Sequence, residues 1–153
     1  MQSLELKIPP PIIAVLIALA MWGISLITPL LEVSTIYRMP LAMAIAVLGG
    51  ALMVAGNISF RQAKTTVNPM KPESASSLVN SGVYRFTRNP MYLGVLSVLM
   101  AWAVFLSSLW ALFGLLAFFL YIDRFQIAPE EKALTRLFGT DYAAYQIKVR
   151  RWI

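Results

Sequence analysis

The chain has 153 residues, one domain's worth, and 59% of them are hydrophobic whereas only 13% are charged. The net charge of +6 fits either a nucleic-acid partner or the cytoplasmic Lys and Arg excess of a membrane protein, and the apolar content favours the membrane. The sequence contains no cysteine and no histidine, which excludes disulfides, thiolate nucleophiles and Cys/His zinc sites. We therefore expect a membrane protein with no metal site and no nucleic-acid partner.

Two uncharged runs near the N-terminus, residues 12–31 and 41–60, predict the first two membrane spans. Each has 20 residues, which as a helix rise about 30 Å, the thickness of the hydrocarbon core. In the second run Ala42, Ala46 and Gly50 recur every four residues, a pattern that predicts a face for close helix packing. Asn57 needs a partner inside a span, and we interpret it as interhelical hydrogen bonding rather than a ligand contact.

A polar connection, residues 61–90, precedes a second apolar stretch, residues 91–122. One helix over those 32 residues would be about 48 Å long, too long for the hydrocarbon core. Ser107 and Ser108 lie at its middle. The pattern predicts a hairpin of two short spans, 91–106 and 109–122, joined by a tight turn.

The distribution of Lys and Arg favours four spans. With four, 12 of the 13 basic residues lie on one side of the membrane, and the positive-inside rule makes that side cytoplasmic. We expect one all-α domain, residues 1–153, that crosses a bacterial inner membrane four times with both termini cytoplasmic. The tail, 123–153, is predicted to form short amphipathic helices, because Gly139 can end one and Thr140 can begin the next.

Two polar clusters, residues 84–92 and 123–131, flank the predicted hairpin and should meet at its cytoplasmic ends. Asn89 and Pro90 are typical of a helix start, and the simpler interpretation is that they begin span three. The free N–H groups at a helix start also favour anions, so the same residues could form a ligand site. Pro129, Glu130 and Glu131 likewise indicate a helix start, and a carboxylate there suits a ligand amine or ribose hydroxyl. These residues alone leave both interpretations open.

The two clusters together resemble a bipartite pattern found in the superfamily of isoprenylcysteine carboxyl methyltransferases and phospholipid methyltransferases. Residues 88–94 (RNPMYLG) are followed after 35 residues by Glu130 and Glu131, and residues 81–85 (SGVYR) also match. The resemblance covers about residues 60–153. Where the superfamily usually has a histidine, this chain has Asn89, which cannot act as a base.

The resemblance implies S-adenosylmethionine as cofactor, bound at the cytoplasmic end of a helical membrane core, and a lipophilic methyl acceptor from among the membrane lipids. The cofactor-binding residues it implies are Tyr84, Arg88, Asn89, Pro90, Tyr92, Gly94, Glu130 and Glu131. The catalytic residues predicted are Arg88, Glu131 and Arg150, and either Arg150 or its neighbour Arg151 is the expected partner for an acceptor carboxylate.

Without a histidine, an acceptor that needs no general base is favoured. A carboxylate is already deprotonated at neutral pH, so we expect O-methylation of an isoprenoid- or lipid-linked carboxylate. The alternatives are N-methylation of an amine phospholipid and a non-enzymatic role as a membrane scaffold or transport subunit.

Overall fold

The computed structural model describes residues 5–65, 70 and 72–153, so parts of the predicted loop 61–90 lie outside the described residues. All regular structure in the described part is helical, without a strand, as the sequence predicted. Its α-helices are α1 (Pro10–Ile27), α2 (Thr35–Gln62), α3 (Pro90–Leu106), α4 (Leu112–Ile122) and α5 (Ala128–Lys148). Shorter 3₁₀ turns occupy Pro72–Ser74, Gly82–Arg85 and Leu109–Ala111, and a π-helical turn occupies Asp123–Ile127.

Three helical segments are long and apolar enough to cross a membrane: α1, α2 and the continuous run Leu109–Lys148. Helix α3 is also apolar, with 17 residues, at the lower limit of spanning length. Helix α1 ends four residues before the end predicted for the first span. The reason is Pro29, which forces the preceding Thr28 into an extended conformation with φ −120° and ψ 156°.

The predicted turn between the third and fourth apolar segments is present. Ser107 ends α3 in the left-handed conformation, with φ 53°, and the chain reverses into α4. The α1–α2 connection holds this turn, because the Ser107 hydroxyl donates to the Leu31 carbonyl at 2.8 Å and the Leu31 N–H donates to the Ser107 carbonyl at 2.7 Å. Both ends of the hairpin therefore point to the opposite side, where the polar clusters lie.

Helices α2 and α3 pack closely, but not through the predicted face. The buried small residues of α2 are Ala42, Gly49 and Gly56, whereas Gly50 has open space beside it. A four-residue spacing turns about 40° around a helix at each step, and a seven-residue spacing only about 20°. The seven-residue series therefore stays on one face over four turns, and the prediction of a close-packed face at Ala42, Ala46 and Gly50 was wrong at Gly50.

The neighbouring glycines of α2 give a matched pair of substitutions. A Cβ on Gly49 would lie 2.7 Å from the Gly94 carbonyl oxygen, which is backbone and cannot swing away, whereas a Cβ on Gly50 meets nothing within 4 Å. We expect Gly49→Ala to destabilise the protein by about 1–3 kcal/mol and Gly50→Ala to stabilise it by about 0.5 kcal/mol. Thermal unfolding in detergent micelles measures both; equal effects would contradict this packing.

The other side of the molecule is a core shared by α1, α3 and α4. Its fully buried side chains include Met21, Phe118, Ile122 and Ile127. Gly114 lets α1 approach α4, since a Cβ there would lie 2.4 Å from a side-chain carbon of Met21. This core includes Ile127 of the π-helical turn, directly before α5.

Helix α5 begins at Ala128 with Pro129, Glu130 and Glu131 in its first turn, as predicted, but no break separates it from the helical turn before it. The chain runs from α4 through the π-helical turn into α5 with helical backbone angles. Pro129 has no N–H to donate to the Phe125 carbonyl one turn earlier in the helix. That carbonyl instead accepts a hydrogen bond from the Leu6 N–H at 3.1 Å. The predicted break at Gly139 is confirmed: its φ of 47° and ψ of −116° divide α5 into two helical pieces.

Candidate functional site

The loop that leads into α3 is fastened to the end of the chain by backbone contacts. The Arg88 N–H donates to the Arg150 carbonyl at 3.0 Å, and the Asn89 amide donates to the Arg151 carbonyl at 2.9 Å. Asn89 occupies the position before α3, as predicted, but its side chain does not cap the helix. The side chain is instead held by the bond from its Nδ2 to the Arg151 carbonyl, so Asn89 joins two segments 62 residues apart.

Four charged side chains form a connected ion-pair network beside this junction. Arg88 Nη2 lies 2.8 Å from Glu131 Oε1, and Arg151 contacts Glu131 through Nη2 at 2.5 Å and Nε at 3.1 Å. Arg151 Nη1 also lies 3.1 Å from both oxygens of Asp123. Glu131 is shared between two guanidinium groups, which fix its carboxylate and hold Arg88 in place.

Glu130 has a different environment from its neighbour. Its Oε1 accepts a hydrogen bond from the Tyr92 hydroxyl at 2.5 Å, and among the described residues it forms no salt bridge. Glu130 lies beyond the apolar part of the Leu109–Lys148 run, which ends near Asp123 and Arg124. Burial, with a smaller contribution from the nearby Glu131 carboxylate, raises the pKa of Glu130 to about 8 against the lowering effect of the Tyr92 hydrogen bond. A ligand cation is the missing partner that such a carboxyl would favour.

A cavity of about 450 Å³ joins these groups to the membrane spans. Its charged side carries Arg88, Glu130 and Glu131, and its other walls come from the start of α1, the second half of α2, the first turns of α3 and the 72–79 loop. This volume lies in the range of small-ligand pockets. Arg88 Nε is buried without a hydrogen-bond partner among the described residues, which leaves a donor free at the charged side.

Six of the residues predicted to bind cofactor line this cavity: Tyr84, Arg88, Asn89, Tyr92, Glu130 and Glu131. Pro90 and Gly94 do not line it. Pro90 is buried as the first residue of α3, and Gly94 packs against the Gly49 carbonyl of α2. Burial raises the pKa of Tyr84 well above its ordinary value, as do Tyr145 and Glu130, so its hydroxyl remains protonated at neutral pH.

Arg150 lies apart from the cavity with an exposed side chain, and its predicted role stays a prediction. Its neighbour Arg151 forms the ion pairs, a role that the sequence did not assign to either arginine. The ion-pair partner that the sequence did not reveal is Asp123, which lies 28 positions before Arg151 and gave no spacing signal. Asn57 also lines the cavity, and its side chain forms no hydrogen bond within the described part of the chain, so its prediction as an interhelical contact was wrong.

The adjacent arginines allow a direct test of the network. Arg151→Ala removes a partly exposed guanidinium group that pairs with two carboxylates. We expect the free energy of unfolding to fall by about 1–3 kcal/mol, between the values typical of exposed and of buried ion pairs. The melting temperature should fall by roughly 3–10 °C. Arg150→Ala, which leaves its backbone carbonyl in place, should leave the melting temperature unchanged; a comparable fall in both variants would contradict the network.

Most of the chain, including most residues of the cavity, is similar to a known protein family. The chain matches the phospholipid methyltransferase family over residues 37–141, which includes both polar clusters and the hairpin between them. It is also 46% identical over 63 residues to a Haemophilus influenzae protein described only as an uncharacterized protein, and this match spans 41% of the chain and all of that relative. No solved structure shows significant similarity. The chain belongs to the phospholipid methyltransferase family, part of the membrane methyltransferase superfamily that also contains the isoprenylcysteine carboxyl methyltransferases.

Proposed function

We propose that this protein transfers a methyl group from S-adenosylmethionine to a lipophilic acceptor at the cytoplasmic face of a membrane. The observation that carries the proposal is the cavity in which Arg88, Glu130 and Glu131 meet the apolar walls of α2 and α3. Family membership supports methyl transfer and disfavours the scaffold alternative. The charge bias of the sequence supports four spans with the cavity on the cytoplasmic side.

The side chains of the cavity fit the proposed cofactor. S-adenosylmethionine supplies a methyl group on a positively charged sulfur, and it also carries a carboxylate, an ammonium group and ribose hydroxyls. Arg88, with its free Nε, suits the carboxylate. Glu130 suits the ammonium group or the ribose hydroxyls. Glu131, already bound to two arginines, positions Arg88, and these pairs keep the charged side of the cavity preformed.

The cavity favours an acceptor that needs no strong base. Asn89 donates to a carbonyl, and Tyr84 is protonated at neutral pH, so neither takes a proton. A carboxylate acceptor is already deprotonated at neutral pH, so no group of the protein has to remove a proton from it. We therefore propose O-methylation of a lipid- or isoprenoid-linked carboxylate, and Arg150, exposed next to the loop that leads into α3, is the predicted contact for that carboxylate.

N-methylation of an amine phospholipid is the second candidate, favoured by one specific observation. Glu130 has a pKa raised to about 8 by burial, close to the value at which a carboxyl can accept a proton from an amine near neutral pH. The description of the matched family also favours a phospholipid.

Transfer of a labelled methyl group tests both the activity and the acceptor. Purified protein is incubated with methyl-labelled S-adenosylmethionine and a membrane lipid extract, and the labelled lipids are treated with mild base. A methyl ester loses its label as methanol, whereas an N-methyl group keeps it. We expect mild base to release the label, which indicates O-methylation. Label that resists base would indicate N-methylation instead, and the absence of any labelled lipid would contradict the proposed function.

A further inference from the structure

The side-chain amide of Asn57 faces the cavity without a partner in the protein. It belongs to α2, five residues before the helix ends at Gln62, and it shares one helix face with Met53 and Phe60, which also line the cavity. The Asn57 side chain forms no hydrogen bond within the described part of the chain. An amide in an apolar wall is costly unless a ligand or water satisfies it, so this position points to a polar group in the ligand.

The cavity has a charged and an uncharged part of its lining, as the proposed cofactor has a charged and an uncharged part. The charged side chains come from α5 and from the loop before α3, whereas α2 contributes only Met53, Asn57 and Phe60. The cofactor likewise has a charged amino-acid end and a flat, uncharged adenine. If the charged end lies against Arg88 and Glu130, the adenine lies toward α2.

Adenine is chemically suited to the side of the cavity that α2 forms. Its edge presents an amino donor beside a ring-nitrogen acceptor, and an asparagine amide offers the complementary acceptor and donor. Phe60 and Tyr84, whose rings meet edge to face with centroids 5.3 Å apart, add aromatic surface of the kind on which bases pack. A lipid tail, in contrast, would leave the amide unsatisfied.

We propose that Asn57 recognises the adenine edge of the cofactor and is a specificity-determining residue of this site, with Phe60 and Tyr84 bordering the base. This inference rests on the proposed function and deepens it. It assigns a direct ligand contact to a residue inside a predicted membrane span.

Calorimetric titration with two product analogues tests the contact without an activity measurement. The ligands are S-adenosylhomocysteine and its analogue with hydrogen in place of the 6-amino group, titrated into the full chain and into Asn57→Leu, which is of similar size and apolar. The parent should bind the analogue about tenfold more weakly than S-adenosylhomocysteine. Asn57→Leu should bind S-adenosylhomocysteine about tenfold more weakly than the parent does and lose the preference between the two ligands.

The controls separate this inference from the function on which it rests. Ser97→Ala, a polar-to-apolar change on α3 away from the cavity, should bind both ligands as the parent does. Asn57→Ala provides a second variant if leucine disturbs the packing. A parent that binds neither ligand would contradict the proposed function as well. If the parent binds and the Asn57 variants keep both its affinity and its preference for the 6-amino group, the adenine contact alone is overturned. The same holds if the variants bind both ligands as the parent does and differ from it only in the KM for the methyl acceptor.

Discussion

Glu130→Gln is expected to weaken the binding of S-adenosylhomocysteine about 10- to 100-fold while the protein stays folded. Glutamine keeps the shape of the side chain and an oxygen that accepts the Tyr92 hydroxyl, so the contact with α3 persists. It removes the ionisable carboxyl, which a ligand cation would convert to its negative form on binding and which no cation of the described residues neutralises. Isothermal titration calorimetry on purified protein measures the affinity, and thermal unfolding confirms the fold.

An acidic residue of the same helix supplies the control for this variant. Asp141 is exposed and lies outside the cavity, and Asp141→Asn removes the same unit of charge. It should leave the affinity unchanged. If the two variants lower affinity equally, a diffuse effect of net charge explains the loss, and Glu130 has no direct contact with the ligand.

The same carboxyl predicts a pH dependence of binding. Because burial raises the pKa of Glu130 to about 8, the free protein holds it protonated at lower pH, and a ligand cation favours the ionised form. Binding then releases a proton. Affinity should therefore rise between about pH 6 and 8, by at most about tenfold per pH unit, and level off above. Glu130→Gln should lack this slope; the same slope in the variant would assign the proton to another group.

The largest expected effect concerns the chain length of the acceptor. Apolar walls from α2 and α3, including Met53, Met91 and Val95, connect the charged side of the cavity to the spans. We expect the acceptor to reach the cavity sideways from the bilayer with its chain still in hydrocarbon. Each methylene removed makes the free energy of transfer from water into an apolar phase less favourable by about 0.8 kcal/mol, which lowers the partition coefficient roughly fourfold. The value of kcat/KM should fall by up to that factor per methylene.

A series of acceptors with one head group and progressively shorter chains measures this dependence. The partition coefficient of each acceptor into the same vesicles separates bulk partitioning from recognition by the protein. Equal kcat/KM for a short, water-soluble acceptor would exclude access from the bilayer and indicate an aqueous route to the cavity.

Apolar run lengths were sufficient to predict the helices and the hairpin, because a membrane restricts a chain to few solutions. Ser107 was recognised as a turn since no single helix of 32 residues fits the hydrocarbon core. The continuity of α4 and α5 was not predictable from local rules. Pro129 normally marks a helix start, and here a residue more than 100 positions away, Leu6, satisfies the carbonyl that the proline leaves free.

The candidate site was predictable to the extent that its residues are adjacent in sequence. Tyr92 and Glu130 were identified separately, but their contact depends on how α3 meets α5, which no spacing rule gives. Arg150 and Arg151 were indistinguishable in sequence, because only the direction of the chain after α5 decides which one faces Glu131. Asn57 was noted and misinterpreted, since the cavity beside it exists only in three dimensions.

The structure of the protein bound to S-adenosylhomocysteine tests the central claim most directly. We predict ligand density inside the 450 Å³ cavity, with the amino-acid end against Arg88 and Glu130 and the network of Arg88, Glu131 and Arg151 unchanged. Ligand density elsewhere on the protein, with this cavity filled by lipid or side chains, would contradict it.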